Sequence, residues 1–113
     1  MNQQEELFYK SIDTNLVKSQ FAEVFLELRK IIELHDPMQL MKFETEAEYD
    51  PETASILLQL QKDLTLDEVH DLVYKDFCYW FEPVVGQKEN FKEISAAIYL
   101  WMKTAALNQK EVQ

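Results

Sequence analysis

The scarcity of glycine is the feature that most limits what this chain can fold into. Gly86 is the single glycine in 113 residues, and three prolines (Pro37, Pro51 and Pro83) are far enough apart for helices to lie between them. Phosphate-binding loops and dinucleotide fingerprints need several glycines for tight turns and close backbone approach to phosphate. The sequence therefore excludes those nucleotide-binding motifs and favours helices joined by short loops.

Apolar residues recur at three- and four-residue spacing in several segments, which predicts amphipathic helices. The first segment runs from about Gln3 to Leu34, with a break favoured near Asp13. It ends at His35-Asp36-Pro37, because a residue before proline is pushed out of the helical region. The predicted core comprises Phe25, Leu28, Ile32, Leu57, Val69, Val73, Phe77, Trp80, Ile94, Ile98 and Trp101.

Three further helix starts are marked by residue type. Asp50-Pro51-Glu52 predicts a start at which the Asp50 side chain accepts from free backbone amides and proline occupies the first helical position. Thr65 and Glu68 have the spacing of a capping box, and a last helix is expected from about Lys88. The sequence thus predicts an all-α protein, residues 1–113 forming a single compact bundle of four or five helices.

Composition supports a folded domain and does not indicate an oxidising compartment. Seven Phe, five Tyr and two Trp provide enough apolar surface for a core, and the lone cysteine, Cys78, cannot form an internal disulfide. The segment from Met1 to Glu6 is polar where a signal peptide would be basic and then apolar. No apolar run reaches the roughly 18 residues of a membrane span. We expect a soluble, cytoplasmic protein with no membrane partner.

The negative charge is concentrated in the middle of the chain. Residues 33–76 hold twelve carboxylates against three lysines, a net charge of −9 out of −10 for the whole sequence. Such a field attracts cationic partners and repels nucleic acid and anionic membranes. An acidic run is also typical of a solvent-exposed face with no partner, and the sequence leaves both interpretations open.

The predicted partner-binding residues lie within this acidic segment. Acids alternate at every second position through its first half, and strict alternation in an extended chain places them on one side. Two more acids, Asp67 and Asp71, are expected on the exposed side of the following helix. The full predicted set is Glu44, Glu46, Glu48, Tyr49, Asp50, Glu52, Asp67 and Asp71.

Catalytic and metal-binding interpretations have little support in the sequence. Neither His35 nor His70 has a neighbourhood that marks a nucleophile pair with Cys78, and Cys78 is interpreted as a core residue. An EF-hand would need alternating ligands, a turn glycine and a terminal bidentate Glu within twelve residues, which this chain does not contain. The prediction is a non-enzymatic protein with no metal and no cofactor. The alternative is convergence of the histidines and acids in one pocket.

Part of the chain resembles a known family. The motifs are Asp36-Pro37, Tyr49-Asp50-Pro51-Glu52, the run from Asp67 to Tyr74, and the aromatic helix end at Phe77 and Trp80-Phe81. In these, residues 25 to 105 are similar to the small uncharacterised bacterial family typified by the Bacillus protein YugE. The resemblance implies an all-α fold and no particular activity.

A broader analogy is to small acidic immunity proteins, which neutralise cationic nuclease toxins by covering their substrate-binding surface. The likeness is one of size, helicity and acidity, with no shared motif. On this basis the predicted function is binding of a basic protein, in particular a secreted nuclease toxin. The alternative is a YugE-like helical protein acting as a metal-binding protein or as a homodimer, with Leu100 and Leu107 in the dimer interface.

Overall fold

A computed structural model describes residues 2–40, 49–61 and 63–104. Within these ranges the chain forms six α-helices and no strand, so the all-α prediction is confirmed, and the helix number is six instead of four or five. The helices are α1 (Gln3–Ser11), α2 (Thr14–Gln20), α3 (Ala22–His35), α4 (Asp50–Gln59), α5 (Leu66–Phe81) and α6 (Lys92–Thr104), with a 3₁₀ helix, Lys88–Phe91, directly before α6.

The first predicted segment accounts for the extra helices, because it breaks twice. The expected break occurs at Ile12 and Asp13, where the Asp13 carboxylate caps α2 by accepting from the Leu16 amide at 3.1 Å. The second break, at Phe21, was not predicted. It is a local kink, because the Phe21 amide still donates to Val17 and its carbonyl still accepts from Phe25.

The Asp-Pro motif ends α3 and anchors the chain beyond it. Asp36 has a positive φ of 45°, a conformation that Asp tolerates better than most residues, and its amide still donates to Ile32. Its carboxylate accepts from the Leu40 amide at 2.8 Å and from the Tyr49 hydroxyl at 2.6 Å. This motif therefore ties the end of α3 to the start of α4.

The predicted role of Asp50 as a helix cap is wrong. Tyr49 occupies the cap position without a side-chain hydrogen bond, and Asp50 is already the first residue of α4. The Asp50 carboxylate instead pairs with Lys18 at 3.1 Å and with Arg29 at 3.2 Å. A buried carboxylate with two cationic partners joins α2, α3 and α4, which outweighs the small gain from a cap.

The start of α5 follows its prediction closely. Thr65 accepts from the Glu68 amide at 3.1 Å, and the Glu68 carboxylate accepts from the Thr65 amide at 2.8 Å, which completes the capping box. After α5, Gly86 takes a φ of 85°, a left-handed conformation that costs glycine nothing. The one glycine is thus used in the loop that turns α5 back towards α6.

One core cluster joins α2 to α6, with Phe77 near its centre. The Phe77 ring lies 5.1 Å from Phe91, 5.7 Å from Phe81 and 6.2 Å from Tyr49. Nine of the predicted core residues are buried: Phe25, Leu28, Ile32, Leu57, Val69, Val73, Phe77, Ile94 and Ile98.

The prediction that Trp80 and Trp101 are core residues is wrong, since both side chains are only partly buried. Trp80 Nε1 donates to Ser55 Oγ at 3.1 Å, and Trp101 Nε1 donates to Glu27 Oε1 at 2.8 Å. The indole N–H needs a polar partner, which keeps each ring at the edge of the core. Cys78 is also partly buried and packs against the core cluster. Among the described residues, no helix has the length and apolarity needed to cross a membrane.

Candidate functional site

The structure separates the predicted partner-binding residues into three groups. Asp67 and Asp71 are exposed on α5, one helical turn apart on the same face. Glu44, Glu46 and Glu48 lie outside the described residues. The remaining three, Tyr49, Asp50 and Glu52, are buried.

The expectation that these three residues are exposed for partner binding is therefore wrong, because their side chains are buried. Tyr49 is enclosed in the core, where burial and the bond to Asp36 both raise the pKa of its hydroxyl. Asp50 is enclosed by its partners Lys18 and Arg29. Glu52 faces inward on α4. Asp50 and Glu52 do not follow the extended alternation that predicted one acidic face, because helical geometry in α4 places them against other helices.

The exposed acids of α5 border a groove between α1 and α5. The groove has a volume of about 590 Å³, and its apolar lining includes Phe8, Tyr9 and Leu72. Its acidic lining is formed by Glu5 from α1 and by Glu68 and Asp71 from α5. An apolar groove with an acidic border has the chemistry to receive an apolar side chain flanked by cationic ones.

Negative charge also surrounds the other side of α1. A second concavity of about 510 Å³ is lined by Glu5, Glu6 and Glu82 together with Lys75 and the ring of Tyr79. The two concavities together thus present five carboxylates and one ammonium group, counting Glu5 and Lys75 once. The α1/α5 surface is acidic although residues 1–32, taken alone, are close to neutral.

Two exposed ion pairs lie at this surface. Lys75 Nζ is 3.5 Å from Glu5 Oε2, and Lys88 contacts Asp71 directly. The hydrogen bond from Lys88 holds the pKa of the Asp71 carboxyl below its ordinary value. Exposed pairs of this kind contribute little to stability, so a partner's cations can replace both lysines at small cost.

Beneath the groove lies a buried carboxyl group, Asp76. Its side chain is 0% exposed, and Oδ2 accepts from Gln59 Nε2 at 3.1 Å. Burial raises the pKa of this carboxyl well above its ordinary value, a neighbouring charge on Glu52 raises it further, and hydrogen bonds from Ser55 and Gln59 oppose both effects. A carboxyl with a strongly perturbed pKa beside a groove is typical of a functional position.

Tyr9 covers this carboxyl and is the one buried residue of α1. Its ring stacks on Tyr79 at 4.1 Å and lies 6.1 Å from the Trp80 ring, with those two ring planes nearly perpendicular. Burial and the charge of Asp76 raise the pKa of the Tyr9 hydroxyl. Since Tyr9 and Gln59 also line the groove, the groove and the buried carboxyl belong to one site.

The histidines take part in separate hydrogen bonds. His35 Nδ1 lies 3.0 Å from the Ile31 carbonyl one turn back on its own helix, and His70 Nε2 lies 2.8 Å from the Lys88 carbonyl. Within the part of the chain that the structure describes, no group of three or more His, Cys, Asp or Glu side chains could hold a metal ion.

Several residues of this site were not predicted from the sequence. Glu5, Glu6 and Glu82 lie outside the acidic segment and join it only through packing. Tyr9 was not assigned to any stripe. Asp76 gave a readable signal, because it lies three residues after Val73 on the apolar face of α5, where a carboxyl is unusual.

Comparison with known proteins finds no family model, no curated protein and no solved structure that matches this chain.

Proposed function

We propose that this protein is a non-enzymatic binding protein whose partner is a basic protein. The observation that carries the proposal is the α1/α5 groove, where Glu5, Glu68 and Asp71 surround an apolar lining. Asp67 extends the acidic face along α5. The formal charge of −10 adds a long-range attraction for cationic partners.

The proposed partner class is a cationic nuclease toxin, for which this chain is the immunity protein. A nuclease needs a cationic surface to bind phosphates, so an acidic surface can occupy the same ground and exclude the nucleic acid. Glu44, Glu46 and Glu48 are proposed to supply further carboxylates for the same partner. The likeness to immunity proteins in size, helicity and acidity supports this choice of partner.

The test uses the protein encoded by the neighbouring gene as the binding partner. Association and dissociation rates are measured at low and high salt for the wild type and three triple variants. The first, Glu5→Gln/Glu68→Gln/Asp71→Asn, alters the groove, and the second, Glu44→Gln/Glu46→Gln/Glu48→Gln, alters the acidic segment. The control, Glu23→Gln/Glu89→Gln/Glu93→Gln, changes the same number of exposed acids elsewhere.

We expect the groove variant to lower the association rate roughly tenfold at low salt and to weaken its salt dependence, with a smaller effect on dissociation. The control should stay within about twofold of the wild type, because none of its three acids lines either concavity beside α1. Stoichiometric inhibition of the partner's nuclease activity would support the immunity role. Absence of binding to this partner protein at low salt, or equal rates for the groove variant and the control, would refute the proposal.

A further inference from the structure

The Tyr9 side chain fills a slot whose own chemistry suits a different occupant. The walls are the face of Tyr79, at 4.1 Å and nearly parallel to the Tyr9 ring, and the ring of Trp80, nearly perpendicular to it. The floor is the Asp76 carboxyl, towards which the Tyr9 hydroxyl is directed. A flat aromatic wall above a buried carboxyl is the combination that binds planar cations.

The floor of this slot is electrostatically incomplete. Asp76 Oδ2 accepts from Gln59, and the hydroxyls of Tyr9 and Ser55 lie near the carboxyl. Oδ1, however, is buried and accepts no hydrogen bond from any residue in the described ranges. Glu52, also buried, adds a second negative charge close by. A buried carboxyl oxygen without a donor is costly, and a cationic N–H group would satisfy Asp76 Oδ1.

Helix α1 is held to the rest of the protein by few strong interactions. Tyr9 is its one buried residue, Leu7 is largely exposed, and the ion pair between Glu5 and Lys75 lies at the surface. Only Ile12 and Asp13 separate α1 from α2, so a rotation at these two residues would withdraw Tyr9. Such weakly anchored elements open at low free-energy cost.

We propose that the Tyr9 slot is a binding site for an arginine side chain, with α1 as the lid that fills it in the free protein. The guanidinium group would stack on Tyr79 as the Tyr9 ring does and donate to both oxygens of Asp76. A lysine ammonium lacks the flat face that this wall requires. The inference rests on the proposed function only in that the basic partner supplies the arginine.

The experiment tests the slot without any partner protein. Full-length Tyr9→Ala opens the slot, and agmatine serves as a free guanidinium probe, with butylamine as an ammonium and p-cresol as a phenol. Binding is measured by calorimetry and by the rise in thermal midpoint. Tyr9→Ala/Asp76→Asn is the matched control, because it keeps the cavity and removes the carboxylate.

We expect agmatine to bind Tyr9→Ala more tightly than butylamine does, and the double variant to lose roughly tenfold in agmatine affinity. If p-cresol binds Tyr9→Ala and raises its thermal midpoint while agmatine does not bind, the slot accepts a phenol ring only. That result would overturn the proposal. If Tyr9→Ala does not fold, agmatine is titrated into the wild type while the Trp80 indole N–H is followed by NMR. A saturable shift supports the slot, and no shift overturns it. Either result is independent of whether the exposed acids bind a basic protein.

Discussion

Individual carboxyl groups differ more in this protein than the charge pattern suggests. Asp50 and Asp76 are both buried, but Asp50 is paired with the cations Lys18 and Arg29, whereas the described partners of Asp76 are the neutral side chains of Gln59, Ser55 and Tyr9. A buried charge with cationic partners can stabilise a fold, and one without them opposes it. The ionised form of Asp76 therefore opposes folding, and a strongly perturbed carboxyl of this kind is typical of a functional position.

The first prediction concerns the pH dependence that Asp76 confers. Because the fold raises the pKa of this carboxyl above its ordinary value of 3.8, its contribution to stability is present below about pH 4 and is lost as the pH rises towards the folded pKa. Asp76→Asn cannot ionise. We therefore expect its free energy of unfolding to rise relative to that of the wild type by up to about 1.4 kcal/mol per pH unit across that window.

Urea denaturation at a series of pH values measures this difference. Glu52 on α4 and Tyr9 on α1 face Asp76 and remain in the variant. Because both interact with the Asp76 charge, the measured pH dependence reports Asp76 together with its coupling to these two groups. The control is Asp63→Asn in the exposed loop before α5, whose effect should stay small at every pH. A constant gap between Asp76→Asn and the wild type would contradict the prediction.

At the scale of helices, α1 stands apart from the other five. Helices α2 to α6 share one core cluster, whereas α1 adds Tyr9 to a polar pocket at the edge of α5. Its capping box, formed by Asn2 and Glu5, stabilises the helix itself and not its attachment. The two concavities on either side of α1 are a direct consequence of this loose packing.

The second prediction is that α1 opens separately from the rest of the protein. In hydrogen exchange measured by mass spectrometry, amides of α1 should exchange far faster than those in the middle of α5. Tyr9→Ala should remove the remaining protection of α1, while Lys75→Ala, which deletes only the exposed pair with Glu5, should change it little. Equal protection of α1 and α5 in the wild type would show that α1 is an integral part of the bundle.

In the whole molecule, the residues that form the core and those that form the acidic surface are different sets. The core around Phe77 joins α5, the 3₁₀ helix and the start of α4 through ring contacts. The acidic surface lies on α5 and α1. Leu100 is 62% exposed on α6, while Leu107 lies outside the described residues, so the dimer interface expected from this pair stays a prediction that sedimentation can test.

The third prediction concerns the contribution of the core to the free energy of unfolding. Phe77→Ala should lower the free energy of unfolding by about 3–5 kcal/mol, since it removes a fully buried ring from the centre of the cluster. Leu34→Ala, at a position that is 83% exposed, should change stability by less than about 0.5 kcal/mol. Chemical denaturation of both variants provides the comparison, and similar losses would show that the core lies elsewhere.

The sequence by itself determined the elements of this protein. Helical spacing, the capping box at Thr65 and the proline after Asp36 are local signals, and local signals act within a few residues. Most of the predicted core followed from them, because a residue on an apolar helical stripe is buried wherever the helix packs. The kink at Phe21 could not be predicted from such signals, since no glycine or proline marks it.

Tertiary structure alone decided which carboxylates are buried and which form a surface. Asp50 is buried because α2 and α3 supply Lys18 and Arg29, and such partners, distant in sequence, cannot be read from local spacing. The groove brings Glu5 to Glu68 and Asp71 across more than sixty intervening residues. The number of charges along the sequence sets the net charge and the long-range field of the protein. A binding site depends instead on which of those charges the packing of helices brings together.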